Sequence, residues 1–553
     1  MLPRRMKSRA HAPIGRDRAS VAGKQPPIHE STDLLIIGAG PAGISAALTA
    51  AGSGVQVTLV DENPVPLQTM GEDVPLHFGG RMAATVANRN AVLESILGAR
   101  PQLAEAIDAG VDVRLGTAAW GLFPQRRTAG WIDGHVAGLA DEDRAYLLRF
   151  RQVIVATGCR DMGLAFDGWQ RPGVMGAAAA YRLATTYEAL DSRTAVLVGS
   201  GTEALLIGNA LLDEGVRIAA VVEQAEAIAG PADLLSRLVE RGARVFTRHV
   251  IQQTVGDPQG VAAVRLARLD GDGHHVSDPL ERIECDTVLL GLAAIPAIEL
   301  IEAAGCAVSF QAARGGHVAD IDGSQRTSLP FLYAAGDCAG VWTSKTLSDS
   351  TARREGRNAA IAALRVLGTE LDGLEEEPVF PDLAVRDVAL ERLAWVRAMT
   401  LQSAAAPFVC QCEEVTAADV LELNPPRYLR WNRDAACWRI GSVDPDGAPH
   451  PDVIKRLTRA GMGPCQGRRC REQIAALMAL GAGRTLADIP LATYRPPVRP
   501  LRLAQLAALP ETAAMGEGWE SWFGIPSQWV PFWRIPPSYS ATAFAADDPV
   551  PGE

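Results

Sequence analysis

The 553-residue chain is too long for one hydrophobic core and, at roughly 150 residues per unit, predicts about three to four domains. Apolar residues make up 48% and charged residues 21%, as in foldable globular proteins, and the 53 Gly and 36 Pro fall without period, which excludes collagen-like and low-complexity architectures. The net charge of −11 lacks the footprint of a nucleic-acid binder. The longest apolar candidate, Ile44–Val60, is broken by Gly52, Ser53, Gly54 and Gln56, so no transmembrane segment is expected.

Residues 1–30 are Arg/Lys-rich and contain Pro. Arg4-Arg5 is not followed by the apolar stretch of an export signal, so a disordered tail on a cytoplasmic chain is expected. From Thr32 the pattern becomes α/β. Short apolar runs bounded by Gly (Leu34–Ile37, Val153–Ala156, Ala195–Val198, Ile218–Val222, Thr287–Leu290) alternate with Ala/Leu-rich helical stretches and read as parallel strands covered on both faces.

The first run leads into Gly38-Ala-Gly40-Pro41-Ala42-Gly43. Gly38 permits a tight turn, Gly40 lets backbone N–H groups approach a pyrophosphate, and Gly43 lets the following helix pack on the strand. A second strand ends at Asp61, 23 residues after Gly38, with Glu62 beside it, where a carboxylate accepts from ribose hydroxyls. After it, Gly79-Gly80-Arg81 offers a close backbone approach. Val153–Ala156 then runs into Thr157-Gly158, where small residues avoid a bound dinucleotide.

A second fingerprint, Gly199-Ser-Gly201-Thr-Glu-Ala204, follows the strand ending at Val198. Glu223, 24 residues after Gly199, suits an unphosphorylated ribose, so NAD or another adenine nucleotide fits better than NADP, with an idle site as the alternative. Ser328–Asp337 ends a further strand in Gly336-Asp337, whose carboxylate suits a ribityl hydroxyl. Glu355-Gly356-Arg357 is expected to open a helix aimed at the same ring system.

In this order the motifs resemble the flavoproteins with two Rossmann-like dinucleotide-binding domains, the glutathione and thioredoxin reductase-like fold. The resemblance covers about 32–370 and implies FAD on the first fingerprint and Asp337. The Cys-x-x-Cys disulfide of many such reductases is absent, which disfavours a disulfide reductase. Cys159 stands alone and reads as a small packed residue.

Beyond about residue 370 the pattern turns helical, with expected helices near Leu383–Met399, Ala417–Leu423 and Cys470–Leu480. Nine cysteines are too few for a disulfide scaffold, but four form two tight pairs, Cys410/Cys412 and Cys465/Cys470. Four thiolates suit tetrahedral zinc or an iron–sulfur cluster, and free thiols are a third possibility. The single residue between Cys410 and Cys412 is tighter than a usual zinc knuckle, and Gly461, Gly463 and Gly467 leave N–H groups for sulfides, so [2Fe–2S] is favoured. No hydrolytic triad, paired catalytic carboxylates or His-rich site is evident, the catalytic residues stay unknown, and His77 and His135 read as surface or structural.

Phe408–Thr416 and Thr458–Cys470 resemble the bacterioferritin-associated-ferredoxin-like [2Fe–2S] module, in the form found in the large (α) subunits of opine oxidases/dehydrogenases and the flavoprotein B subunit of hydrogen cyanide synthase. With Asp167–Ala177 and Tyr494–Leu501 the similarity spans about 32–505. It implies an electron-transferring oxidoreductase subunit beside a smaller FAD subunit like amino-acid oxidases, with an amine as substrate. A small ferredoxin-like subunit is a further candidate partner. The rivals are a self-sufficient NADH-dependent reductase and a scaffold holding an adenine nucleotide.

The expected division is a tail over 1–30, an FAD-binding domain from 31–160 and 300–370, a second dinucleotide-binding domain over 161–299, a helical [2Fe–2S] domain over 371–495 and a Pro/Trp-rich extension over 496–553. Three stretches depart from the family pattern: Val65–Phe78, Pro425–His450 with Cys437, and the Trp-rich tail.

Overall fold

The computed structural model describes residues 26–65, 89–125, 132–276, 281–369, 373–382, 387–426, 428, 440 and 450–517. His77, Gly79-Gly80-Arg81, Cys437 and the Trp-rich tail lie outside the described residues, as do residues 1–25.

Strand Glu30–Ile37 sits inside a sheet of seven described strands. Six of them run in the order Asp112–Leu115, Val57–Asp61, Glu30–Ile37, Ala145–Val155, His135–Ala140, Ala118–Phe123, and the seventh, Leu332–Ala334, pairs with Ala145–Val155 off this row. The first four pair in parallel, and Leu34, Leu35 and Ile36 are wholly buried because both sheet faces are covered. Strand Ala145–Val155 is long enough for two neighbours on one edge. Ala145–Phe150 pairs antiparallel with His135–Ala140, and Val153–Val155 pairs parallel with Leu332–Ala334. That exchange brings Gly336-Asp337 beside Ala156-Thr157-Gly158.

A second, all-parallel sheet lies in sequence between these two segments, in the order Arg244–Thr247, Arg217–Glu223, Thr194–Val198, Thr287–Leu290, Val174–Gly176. An antiparallel meander, His249–Asp257, Gly260–Arg268 and Glu281–Glu284, packs beside it. The chain is therefore a mixed α/β protein with two Rossmann-like units.

The cysteine-bearing part follows. Asp387 caps helix Val388–Trp395 by accepting from the N–H groups of Ala389 and Leu390, and the helix widens into a π turn over Val396–Leu401. Strands Phe408–Cys410 and Val415–Thr416 form a small hairpin, and Thr416 and Asp419 make a reciprocal capping box on helix Ala417–Leu421. That helix stops two residues before the expected end, where Leu423 takes a left-handed φ of 56°. Helix Arg471–Ala482 is buried along Ile474–Ala479. Its Ile474, Leu477 and Met478 share one apolar cluster with Phe166, Trp169 and Val264 of the second unit, so this part is fused to the α/β body and does not hang from it. Among the described residues no helix is long and apolar enough to cross a membrane.

Candidate functional site

The first fingerprint forms the turn between strand Glu30–Ile37 and helix Pro41–Ala50. Gly38 has φ +107°, and a Cβ there would lie 2.2 Å from the Ala156 carbonyl oxygen. One on Gly43 would lie 1.8 Å from the Gly38 oxygen. A Cβ on Gly40 would meet nothing within 4 Å. Gly40 therefore faces open space at a helix N-terminus, with Pro41 in the first turn and Ala42 buried behind it, as an anion-binding turn requires.

Asp61 braces this turn: its Oδ2 accepts from the Ala39 N–H at 2.7 Å, and its Oδ1 accepts from Asn63. Asp61 and Glu62 line a cavity of about 280 Å³ with Gly38, Gly40, Ala156, Thr157 and Gly158. Arg100 donates to the Ala39 carbonyl at 3.0 Å, and Arg499 pairs with Glu62 at 2.5 Å. The open cradle at Gly40, the small residues at 156–158 and the nearby carboxylates fit a flavin dinucleotide.

Gly336 has φ +76° and a Cβ there would lie 3.1 Å from that of Ala42, so Gly336-Asp337 abuts the fingerprint helix. The expected helix opening at Glu355-Gly356-Arg357 is corrected. The helix runs Ser350–Leu367, and Glu355 lies in its second turn, 1% exposed. Glu355 accepts from the Gly336 N–H and from Lys345 Nζ, each at 2.7 Å, while Lys345 also donates to the Gly336 and Gly340 carbonyls. Gly356 is required because a Cβ would lie 1.9 Å from the Ala42 oxygen. These residues clamp the Asp337 turn from behind.

The second fingerprint repeats the turn: Gly199 has φ +95°, a Cβ there would lie 2.4 Å from the Gly291 oxygen, and one on Gly201 would meet nothing within 4 Å. Glu223 is 1% exposed. It accepts from the Ser200 hydroxyl at 2.5 Å and from the Ala225 N–H at 2.9 Å, and loop 224–230 closes back when Gly230 donates to the Ser200 carbonyl. A ribose there would have to compete with Ser200 for this carboxylate.

Cys159 lies between the two units, its Sγ 3.5 Å from Asp337 Oδ2 and 3.9 Å from Glu203 Oε1. Burial, then the charges of Glu203 and Asp337, push its thiol well up, so it is a poor nucleophile. Burial and the charges of Asp161 and Asp337 push Glu203 up to about 8. His135 is structural: it stacks on Phe331 with ring centres 3.7 Å apart and accepts from the Gln125 N–H.

The four paired cysteines converge. Cys410, Cys465 and Cys470 are buried and Cys412 is half-buried. Cys410 lies within hydrogen-bond reach of Cys470, and Cys412 of Cys465. The hydrogen bond from Cys412 pulls the Cys465 thiol down to about 5, helped by the N–H groups of Arg469 and Gly467. The Gly461 N–H donates to Cys410 Sγ at 3.4 Å, and a Cβ on Gly463 would lie 2.2 Å from that of Cys412. Among the described residues no three of these sulfurs lie mutually within 4.8 Å, so they form two pairs and not one compact quartet. Within each pair one thiol is pulled down, Cys410 and Cys465, and its partner is pushed up, Cys470 and Cys412, so each pair shares a proton. A largely buried, all-sulfur donor set of this kind fits a metal cluster.

The loop between Cys465 and Cys470 reaches the cavity. Arg468, inside the Cys465–Cys470 loop, lines the cavity with Thr157 and Glu299. Arg160, next to Cys159, pairs with Glu299 at 3.0 Å and with Glu472 at 2.7 Å. Sequence reasoning misses Arg160, Lys345 and Arg468 because their partners lie in other elements. The one cue is the density of Arg in Arg468-Arg469 and Arg471 beside a cysteine pair.

The pyridine nucleotide-disulphide oxidoreductase model matches residues 32–363, and the sarcosine oxidase A3 domain model matches residues 427–509, which hold the second cysteine pair. The A subunit of opine oxidase from Agrobacterium tumefaciens (strain Ach5) is 30% identical over 506 residues, covering 87% of this chain and 92% of that protein. The HcnB subunit of hydrogen cyanide synthase from Pseudomonas aeruginosa is 26% identical over 469 residues, covering 79% and 90%. Among solved structures, L-proline dehydrogenase from P. horikoshii matches with a TM-score of 0.55 at 20% identity, over 86% of this chain and 79% of that one, a likeness of fold.

Proposed function

The chain belongs to the pyridine nucleotide-disulphide oxidoreductase family and to its opine oxidase branch, and on that premise we propose that it is the electron-transferring FAD and [2Fe–2S] subunit of an amine or amino-acid dehydrogenase or oxidase. It is an oxidoreductase and a flavoprotein subunit of a multi-subunit enzyme. The donor is a secondary or primary amine oxidised at its C–N bond on a smaller, amino-acid-oxidase-like FAD partner. A small ferredoxin-like subunit is a further candidate.

FAD would be held by Gly38, Gly40, Pro41, Ala42, Gly43, Asp61 and Glu62 at its nucleotide end. Ala156, Thr157, Gly158, Gly336 and Asp337 would hold the rest, with Gly80 and Arg81 as further candidates. Cys410, Cys412, Cys465 and Cys470 would hold the cluster. A flavin exchanges electrons singly or in pairs and a [2Fe–2S] centre exchanges them singly, which is the chemistry the two groups supply when bound. The protein's own part is positional. The Asp61 brace fixes the fingerprint turn over the cavity, the Lys345–Glu355 clamp fixes the Asp337 turn against Cys159 of the cavity wall, and Arg160 ties that wall to the cysteine helix.

The observation that carries this reading is the shared wall: a loop bounded by two of the four cysteines lines the flavin cavity. Residues 371–495 are accordingly proposed as the cluster unit. A second reading, an NADH-dependent reductase, is favoured by the intact Gly199–Gly201 turn and opposed by the engagement of Glu223 with Ser200. Anaerobic titration separates them. Bleaching of the flavin by an amine only when the partner is present supports the dehydrogenase, and rapid bleaching by NADH alone overturns it.

A further inference from the structure

Arg468 lies between Cys465 and Cys470 and is 8% exposed. The turn that carries it is tight: its backbone N–H donates to the Cys465 carbonyl at 3.1 Å, and its own Nε donates to the same oxygen at 3.2 Å. Arg468 lines the cavity bounded by Gly40 and Thr157, and also an adjoining cavity of about 190 Å³ bounded by Cys159 and Arg182. The loop is pinned on both sides. A Cβ on Gly163 would lie 2.6 Å from the Arg469 oxygen, Arg469 packs over the Trp169 ring at 4.6 Å, and Glu472 is held by Arg160.

We infer that Arg468 is a flavin-binding residue supplied by the cysteine loop, so that cluster assembly and flavin retention are linked. The inference rests on the proposed identities of the two groups. Its chemistry is that of a guanidinium: a planar fork of N–H donors, with Nε held by the Cys465 carbonyl, and a permanent charge suited to the phosphates and carbonyl oxygens of a flavin dinucleotide. The loop's backbone turn runs from Cys465 to Cys470, so whatever ligates those sulfurs also sets where the guanidinium lies. Linkage then acts both ways: a ligated loop tightens FAD, and bound FAD stabilises the ligated loop by the same factor.

The test measures FAD affinity by flavin fluorescence on deflavinated full-length protein, and iron content beside it. Arg468→Met keeps the buried stem but removes the donors. It should retain iron and bind FAD on the order of ten- to a hundred-fold more weakly, the loss of one to two charge-assisted hydrogen bonds. Arg468→Lys, which keeps the charge, should recover part of that loss and control for a merely structural effect. Iron removed from wild-type protein with a chelator should weaken FAD by a comparable factor. Arg468→Met protein with full iron and wild-type FAD affinity overturns the inference while leaving the proposed function standing. Wild-type protein that holds neither flavin nor iron overturns the function itself.

Discussion

Arg160 and Glu472 lie 312 positions apart and meet at 2.7 Å, joining the strand after Gly158 to the helix that begins immediately after Cys470. Glu472 is 6% exposed. Burial alone would raise its carboxyl, and the Arg160 guanidinium outweighs that and holds it below the usual range. One arginine thus serves two carboxylates, the half-buried Glu299 and the buried Glu472, across the junction of the two parts.

Removing it strands both. Arg160→Met is expected to cost about 3 kcal/mol in unfolding free energy, because a buried charge left without its partner is penalised more than the intact pair is worth. Denaturant unfolding of Arg160→Met and of the Arg160→Met/Glu472→Met double variant checks this. The double variant should be the less damaged, and an equal or larger loss would contradict the account.

The fingerprint glycines separate binding from folding. Gly40→Leu projects into the cavity, so flavin content should fall to background while the melting temperature of the flavin-free protein stays within a degree or two. Gly43→Ala puts a methyl 1.8 Å from the Gly38 oxygen and should cost about 2 kcal/mol or more in stability. Absorbance at 450 nm and differential scanning fluorimetry read the two effects separately.

The clamp behind Asp337 makes a graded prediction. Lys345→Met leaves Glu355 buried without its cation and should cost about 3–5 kcal/mol. Glu355→Gln keeps an acceptor for the Gly336 N–H and should cost less. Both should weaken FAD retention through a loosened Gly336–Gly340 turn, measured as flavin released on dilution. Unchanged retention in Lys345→Met would exclude the clamp role.

Glu203 makes the stability pH-dependent. Its carboxyl is pushed up from 4.5 to about 8, first by burial, then by Asp161 and Asp337, with Arg182 and the Cys159 hydrogen bond opposing. The folded chain therefore holds a proton that the unfolded chain releases near pH 4.5. The Glu203 contribution falls as pH rises from about 4.5 to about 8 and levels off above. Glu203→Gln removes that slope, so its stability relative to wild type should grow between pH 5 and pH 8.5. Parallel urea-unfolding curves for the two proteins across that range would refute the assignment.

The parts of the site legible in the sequence are those written locally. Gly38 and Gly199 are recognisable because each must adopt a positive φ at the end of an apolar strand, and spacing alone locates the acids that follow. The start of helix Ser350–Leu367 is hidden because Glu355-Gly356-Arg357 looks like a polar helix opening. Only the fold brings Lys345 beneath it, and only the Ala42 carbonyl explains Gly356. Glu223 shows its position but not its engagement with Ser200. Arg160 and Arg468 carry no local signal, since their roles depend on elements that meet through tertiary packing.

The central claim is that the four paired cysteines hold a [2Fe–2S] centre beside a flavin. Electron paramagnetic resonance of dithionite-reduced protein at low temperature tests it most directly. The account predicts a rhombic spin-half signal that Cys465→Ser abolishes. A silent spectrum from protein that carries stoichiometric zinc would contradict it.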